Sequence, residues 1–217
     1  MVLGCAMLGL SAVPAPAATF EQQVLIALNA ARANPGAMAD ALRTYRSQFR
    51  GKLVRYAGSN VSLMTQEGVT PVDEAIDFLS HQSAVTPLAA TEGLADGAAE
   101  HVADQGARGG IGHGGSDGSS PFERIERHGG QQNVAEVIQY GADQPIDVIR
   151  QLIVDDGVAS RDHRRILFDP GLRFAGVACG LHRDYGRMCV IDFATSSVES
   201  RSAQTYPPAR VAFQTPR

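Results

Sequence analysis

The stretch FAGVACGLHRDYGRMCVIDF, residues 174–193, decides the fold. Two apolar runs, 174–180 and 188–193, flank a polar segment, and this is the pattern of a β-hairpin. Cys179 and Cys189 lie symmetrically about the middle of the turn, so we expect them to face each other across the strands. A disulfide between them is the prediction, and two buried thiols are the alternative.

Upstream of the hairpin, the sequence has mostly helical patterns. A capping box at 19–22 begins the first helix, because the threonine hydroxyl and the glutamine amide can bond free N–H groups of the first turn. Apolar residues recur at helical spacing over 20–33, 38–49, 72–79, 94–106, 121–128 and 145–154. One more strand is expected over 134–140.

This order of elements predicts the fold class. Helices followed by a hairpin indicate an α+β fold in which a mainly antiparallel sheet is covered by helices. The regular alternation of strand and helix that a parallel sheet requires is missing. The polar, glycine-containing stretch from about 50 to 70 is expected to be an inserted loop.

Composition indicates an ordinary globular protein. The 217 residues are 44% hydrophobic and 19% charged, and the formal net charge is −4. No basic stripe runs along the chain, so nucleic acid is not an expected partner. Beyond the N-terminal segment no stretch has the length of a membrane span, so we expect no transmembrane segment in the mature chain.

The N-terminal segment predicts export. Residues 1–17 are an uncharged apolar run followed by small residues, and its end matches the A-x-A pattern of a cleavage site. We therefore expect a signal peptide over 1–17, a folded domain over 18–198 and a polar C-terminal tail over 199–217. The expected location is extracytoplasmic, either secreted or periplasmic.

A few titratable residues are candidates for a polar cleft. His113 lies among glycines that cannot cover it, and His163 lies among three arginines. Glu136 interrupts an apolar strand, where a carboxylate must meet solvent or a polar partner. Asp155 and Asp156 close an apolar helix at the unfavourable negative end of its dipole, so a partner such as histidine would offset the cost. The ordinary alternatives are a loop histidine and a surface helix turn with weak ion pairs.

Short sequence motifs that mark well-defined catalytic sites do not identify a reaction for this chain. The chain has no H-E-x-x-H helix, no paired C-x-x-C and no phosphate-binding loop. No strand–turn–helix nucleophile elbow is predicted either. The candidates are therefore dispersed histidines and acids.

Five short motifs occur in an order that matches a known family. They are N-x-x-R at Asn29 and Arg32; a histidine, a Ser-Asp-Gly loop and a helical arginine at His113, 116–118 and Arg124; a strand from glutamate to glycine over 136–141; S-x-x-H-R-x-I-L over 160–167; and G-V-A with D-F at 176–178 and 192–193. Together they resemble the CAP superfamily, which includes cysteine-rich secretory proteins, antigens and pathogenesis-related proteins. The likeness covers about 20–194 and is greatest to the bacterial extracellular branch, also called SCP-like.

The chain departs from the family pattern at two places. Val137 stands where the family has asparagine after the glutamate, and a competing alignment puts Gln132-Asn133 on that motif. The chain has no tryptophan, and Leu152 takes the place of the one before the second acid. The second acid is then Asp155, with Asp156 as the alternative.

The resemblance implies a structure and a site. The implied fold is a three-layer α-β-α sandwich, and the implied central cavity comprises His113, Glu136, Asp155 and His163. Two imidazoles and two carboxylates at one cavity can bind a divalent metal such as zinc, with His113 and His163 as ligands. They can instead form a hydrogen-bonded network that fixes the shape of the cleft.

Three functions are compatible with such a cavity. The leading hypothesis is an extracellular binding domain for a small-molecule, lipid or cell-envelope ligand. The second is a metal-dependent hydrolase or peptidase that uses the His113 and His163 cleft. The third is a structural interaction module in which the insertion at 50–70 or exposed loops contact a partner.

Overall fold

The computed structural model describes residues 17–55, 62–129 and 131–197. The expected signal peptide, apart from its last residue, and the expected tail over 199–217 lie outside the described residues. Within the described ranges, no helix combines the length and the apolar character needed to cross a membrane.

Three of the helices begin where amphipathic spacing coincides with a capping side chain. Thr19 caps the first helix through a capping box, and Asn34 ends that helix and caps the next one, which begins at Pro35. The helices are α1 (Phe20–Ala33), α2 (Pro35–Arg46), α3 (Thr70–His81), α4 (Glu92–Arg108), α5 (Pro121–Arg127), α6 (Pro145–Val154) and α7 (Asp162–Leu167). The sequence pattern predicts all of these helices except α7.

The strands form one central sheet and two small ones. The strands are β1 (Phe49–Arg50), β2 (Leu53–Arg55), β3 (Ser62–Met64), β4 (Ala89–Ala90), β5 (Gln131–Gln132), β6 (Ala135–Tyr140), β7 (Phe174–His182), β8 (Gly186–Ala194) and β9 (Ser196–Ser197). The central sheet has the order β4-β7-β8-β6, and only the β4–β7 pair is parallel. The prediction of a mainly antiparallel sheet is confirmed.

The β7–β8 hairpin has the register that the sequence predicts. Cys179 lies directly opposite Cys189, and a disulfide joins them. The hairpin closes where His182 pairs with Gly186. The predicted cross-strand disulfide is therefore present in the fold.

Helices cover both faces of the central sheet. Val137 of β6 belongs to the larger hydrophobic cluster, which also contains buried aliphatic side chains of α1, α2 and α6. Its neighbour Ile138 points to the other face and packs with Ala98 of α4 in a separate cluster. Because adjacent strand residues face opposite layers, this arrangement is the three-layer α-β-α sandwich that the resemblance implies.

The layer that contains α4 lies unusually close to the sheet. A Cβ atom added to Gly176 of β7 would lie 2.0 Å from the backbone nitrogen of Ala95, and one added to Gly180 would lie 2.6 Å from Val102. Side chains at these strand positions would push the helix away. Glycines in β7 therefore set the depth at which α4 and the loop after it lie.

The segment from about 50 to 70 differs from its prediction as a loop. β1, β2 and β3 pair in order as an antiparallel sheet, and Val54 is fully buried in the main core. Strands of two or three residues are too short for their alternation to be recognised in the sequence. The insertion is therefore a small packed sheet, and its β3 strand lines the main cavity.

Candidate functional site

A cavity of about 680 Å³ opens along the outer strand β6 and contains both predicted histidines. Residues of β6, α6, the loop before α5 and the insertion line it. His113 comes from the loop between α4 and α5, and His163 comes from α7. The fold therefore brings together two histidines that are 50 positions apart in the sequence.

His113 is held by a buried carboxylate. Its Nδ1 donates to Glu136 Oε1 over 2.7 Å, and the histidine side chain remains 49% exposed while that of Glu136 is 1% exposed. Glu136 Oε2 accepts a second hydrogen bond of 2.8 Å from Arg124 Nη2. Arg124 also donates to the carbonyls of His113 and Ser119, so it fastens the histidine loop to the strand.

His163 is held in a matching way by Asp155. Its Nδ1 donates to Asp155 Oδ1 over 2.6 Å, and its backbone N–H donates to Oδ2 over 3.0 Å. Asp155 is the C-cap of α6 and has φ = 61°, a left-handed conformation that aspartate tolerates better than most residues. This conformation ends the helix and turns the carboxylate toward α7.

The choice between the two aspartates is decided by geometry. Asp156 accepts hydrogen bonds from the backbone N–H groups of Gln66 and Glu67, at 2.7 and 2.8 Å. Both of its oxygens therefore bind the insertion, whereas both oxygens of Asp155 bind His163. Asp155 is the partner of the histidine.

These contacts fix which ring nitrogen of each histidine carries a proton. A carboxylate accepts hydrogen bonds, so Nδ1 of His113 and of His163 carries the proton in each pair. In the neutral imidazole, Nε2 then keeps its lone pair. A carboxylate behind the donor nitrogen is the usual support for a histidine that binds a metal through its other nitrogen.

The donor set offers at most two histidine nitrogens to a cation. Across the ranges 17–55, 62–129 and 131–197, no group of three or more His, Cys, Asp or Glu side chains is placed to hold a metal ion. Glu136 and Asp155 support the histidines and do not add to the ligands. A cation held by the two Nε2 atoms would keep most of its coordination positions for water or a ligand.

The insertion is fastened to the turn that contains Asp155. Arg161 has φ = 53° and binds the carboxylates of Glu67 and Glu74 and the carbonyl of Asp155. The hydrogen bonds that Glu67 receives from Arg161 and from the backbone of Gly157 lower the pKa of Glu67 to about 2. The wall of the cavity formed by the insertion is thus coupled to the His163 side of the site.

Asp192 is a residue of the site to which sequence reasoning assigned no role. It lies directly opposite Glu136 on β8 and is fully buried. No donor among the described residues reaches either of its oxygens. Burial, together with the charge of Glu136 and the hydrogen bond to it, raises the pKa of Asp192 well above its usual value. The neutral form of Asp192 is therefore favoured beside the charged Glu136.

The pKa of Glu136 is lowered, whereas that of Asp192 is raised. Burial would raise this pKa, but the hydrogen bond from His113 and the charge of Arg124 outweigh burial, and the net shift is downward. Two adjacent buried carboxyl groups cannot both ionise easily, so one is charged and one is neutral. Glu136 is the charged member of the pair.

A second set of buried polar groups holds the loop of His113. His101 and Gln105 both donate to the carbonyl of Gly112, and the N–H of Gly112 donates to the hydroxyl of Tyr140. That hydroxyl donates to Gln105. These contacts join residues far apart in the sequence, so no local pattern predicts them.

Ser116 lies in a G-x-S-x-G sequence, which is the motif of a catalytic serine, but its surroundings are not those of a nucleophile. Residues 114–118 read G-x-S-x-G, but they form a loop between α4 and α5 and not a strand-to-helix turn. The Ser116 hydroxyl donates to Asp104 over 2.7 Å. Among the described residues that line the cavity there is no serine or cysteine, and Thr65 donates its hydroxyl to the Lys52 carbonyl.

Comparison with known proteins gives one family match. The family profile described as CAP, the cysteine-rich secretory protein family, matches residues 27–193. A search of curated proteins found no match.

Two solved structures are similar to this one. An extracellular protein containing an SCP domain from Bacillus anthracis str. Ames is 20% identical with a TM-score of 0.44, and the alignment covers 55% of this chain and 37% of that one. An outer surface protein from Borrelia burgdorferi is 18% identical with a TM-score of 0.42, with 50% of this chain and 77% of that one covered. This chain thus spans well under half of the Bacillus protein.

Proposed function

The chain belongs to the cysteine-rich secretory protein (CAP) family, and on that premise we propose that it works outside the cytoplasm, secreted or periplasmic, as a ligand- or partner-binding protein. One observation carries the proposal. The two imidazoles, each supported by a buried carboxylate, line a single open cavity. The ligand is a small molecule, a lipid or a component of the cell envelope.

A divalent cation such as zinc is part of this proposal. His113 and His163 would hold it through Nε2, because Nδ1 of each ring is already committed to a carboxylate. When bound, the ion supplies a Lewis acid that can take an oxygen or nitrogen atom of the ligand. The protein orients both rings and surrounds them with a largely apolar wall.

The hydrogen bonds of the acids support binding over hydrolysis. A metal-dependent hydrolase needs a carboxylate or histidine free to take a proton from water. Glu136 accepts from His113 and Arg124 and lies against Asp192, and both oxygens of Asp155 accept from His163. Every oxygen of both carboxylates already accepts a hydrogen bond from the protein, so neither acid is held free to act as a base.

The histidines are tested by calorimetric titration of the full chain with zinc. We expect one equivalent to bind to the wild type, and His113→Ala or His163→Ala to weaken binding at least about 100-fold, because each removes one of two protein ligands. His81→Ala, at an exposed position on α3, is the matched control and should leave the affinity unchanged. Equal zinc affinity in all four proteins would reject the metal part of the proposal.

The role of the supporting acid is tested by two adjacent substitutions. Asp155→Asn keeps the left-handed conformation accessible but removes the charge behind His163, and we expect zinc affinity to fall about 10- to 100-fold. Asp156→Asn changes the neighbouring carboxylate, which binds the insertion, and should have little effect. Both affinities come from the same titration, and equal losses would contradict the assignment of Asp155.

A further inference from the structure

The free edge of the central sheet faces the cavity. β6 is the outer strand in the order β4-β7-β8-β6, and residues 138–141 line the cavity. Edge strands present unpaired N–H and C=O groups that can pair with another chain. The edge of β6 is therefore part of the binding surface.

The register identifies which backbone groups face outward. The N–H of Gly141 donates to the carbonyl of Arg187 over 2.8 Å, so this opposed pair is a hydrogen-bonded one. Hydrogen-bonded pairs recur at every second residue, which places the ladder bonds of β6 at residues 139, 137 and 135. The N–H and C=O groups of Glu136, Ile138 and Tyr140 then point away from β8.

These outward groups are mostly without partners. The carbonyl of Tyr140 accepts from the side chain of Gln139. No described residue bonds the backbone N–H or C=O groups of Glu136 or Ile138 outside the ladder with β8. Buried backbone groups without partners cost free energy, and Ile138 is only 6% exposed. A binding partner that supplies matching groups would recover that cost.

The cavity also offers apolar surface beside this edge. Leu63, Met64, Ile111 and Tyr185 all line the cavity and are between 41% and 69% exposed. They come from β3, the loop before α5 and the β7–β8 turn. An extended chain directs successive side chains to opposite sides, so apolar walls beside a strand edge suit a peptide with apolar residues.

We infer that the cavity binds an extended peptide segment of another protein, which pairs with the free edge of β6 as a fifth strand of the central sheet. This inference rests on the proposed function of a ligand- or partner-binding protein, because it names the class of partner that the same cleft takes. A strand rises about 3.3 Å per residue, so the edge from Glu136 to Tyr140 is about 13 Å long and takes four or five residues. Main-chain pairing supplies affinity, and the apolar walls supply preference among side chains.

The test starts from random decapeptides displayed on phage and selected on the full-length protein with EDTA present. The strongest binder is then synthesised in three forms: unmodified, N-methylated at odd positions and N-methylated at even positions. In a strand, alternate N–H groups face the partner, so one methylated form should lose affinity about 10- to 100-fold while the other stays near the unmodified form. Amide exchange at Ile138 should slow when the unmodified peptide is added.

A protein variant tests the same contact from the other side. Ile138→Pro removes an N–H that points away from β8, so no ladder bond is lost, as is tolerated at sheet edges. Peptide affinity should fall about 10-fold or more, while circular dichroism stays as in the wild type. If this variant does not fold, the two methylated peptides test pairing with the β6 edge on the wild-type protein.

Several outcomes would overturn the inference. They are failure to select any peptide, equal loss in both methylated forms, and slowed exchange away from β6. Peptide binding that appears only after removal of 198–217 would also overturn it, because the chain's own C-terminal segment would then be the occupant. Zinc titration of the same sample separates the two proposals: zinc binding without peptide binding rejects only the edge pairing, and peptide binding without zinc rejects only the metal.

Discussion

Replacing Glu136 with alanine is expected to lower the free energy of unfolding by about 3–5 kcal/mol at pH 7, because Arg124 would be left buried without its anionic partner. The side chains of Glu136 and Arg124 are each 1% exposed and are joined over 2.8 Å. An unpaired charge at such a site keeps its desolvation cost and loses the attraction that offsets it. The loss is measured by urea denaturation followed by circular dichroism.

An exposed ion pair is the matched control for this prediction. Arg46 and Asp73 form a pair in which the side chains are 49% and 44% exposed. Asp73→Ala should cost only a small fraction of the loss expected for Glu136→Ala, because solvent screens the charges and replaces the lost contact. Equal losses from Glu136→Ala and Asp73→Ala would contradict the account of a buried pair.

Replacing Asp192 with asparagine is expected to stabilise the protein increasingly as the pH rises above about 4. Because the pKa of Asp192 is raised in the folded state, its contribution to stability is complete below the unfolded pKa and is lost as pH rises toward the folded pKa. Asparagine resembles the neutral acid and can donate to Glu136, but it does not titrate. The difference between variant and wild type should widen by up to about 1.4 kcal/mol per pH unit.

Asp184 gives a control with the opposite sign. Hydrogen bonds from the backbone of Gly110 and from Arg183 lower its pKa, so its contribution is present above the unfolded pKa and is lost as pH falls. Asp184→Asn should therefore be destabilising at neutral pH, and less so at low pH. Urea denaturation of Asp192→Asn from about pH 4 to pH 8, and of Asp184→Asn from about pH 7 down to about pH 2, measures the two trends, because the folded and unfolded pKa values of Asp184 both lie near or below about 4. A constant offset for Asp192→Asn across its own range would contradict the neutral state of Asp192.

Local patterns in the sequence predicted most of the fold. The capping box at Thr19 and the spacing over 145–154 gave the observed bounds of α1 and α6. The symmetry of Cys179 and Cys189 gave the register of the hairpin. These features depend on contacts between residues near in sequence, and such contacts leave a periodic or symmetric signal.

The parts that were missed depend on contacts between distant residues. An aspartate within an apolar strand indicates a buried carboxyl group, and Asp192 is such a residue. Only the register between β8 and β6 shows that it lies opposite Glu136. The choice of Asp155 over Asp156 depends on a left-handed helix end and on contacts to the insertion. β1, β2 and β3 are too short to have a recognisable alternation.

Two kinds of signal indicate the site residues. The glycines around His113 and the arginines around His163 make these histidines candidates, and the resemblance to the CAP family implies that they share one cavity with Glu136 and Asp155. The geometry adds the pairing of each histidine with one carboxylate, and with it the nitrogen that each ring offers to a ligand. That pairing leads to the proposal of a cation held by two imidazoles.

The most direct test of this claim is anomalous diffraction from crystals of the zinc-loaded protein, with data on both sides of the zinc absorption edge. A cation held by the two imidazoles should give one strong peak in the cavity, about 2.0–2.1 Å from Nε2 of both His113 and His163. Glu136 and Asp155 should remain hydrogen-bonded to Nδ1 and outside bonding distance of the ion. A peak bound through Nδ1, a peak on one histidine alone, or a zinc ion held only by residues outside the cavity would contradict it.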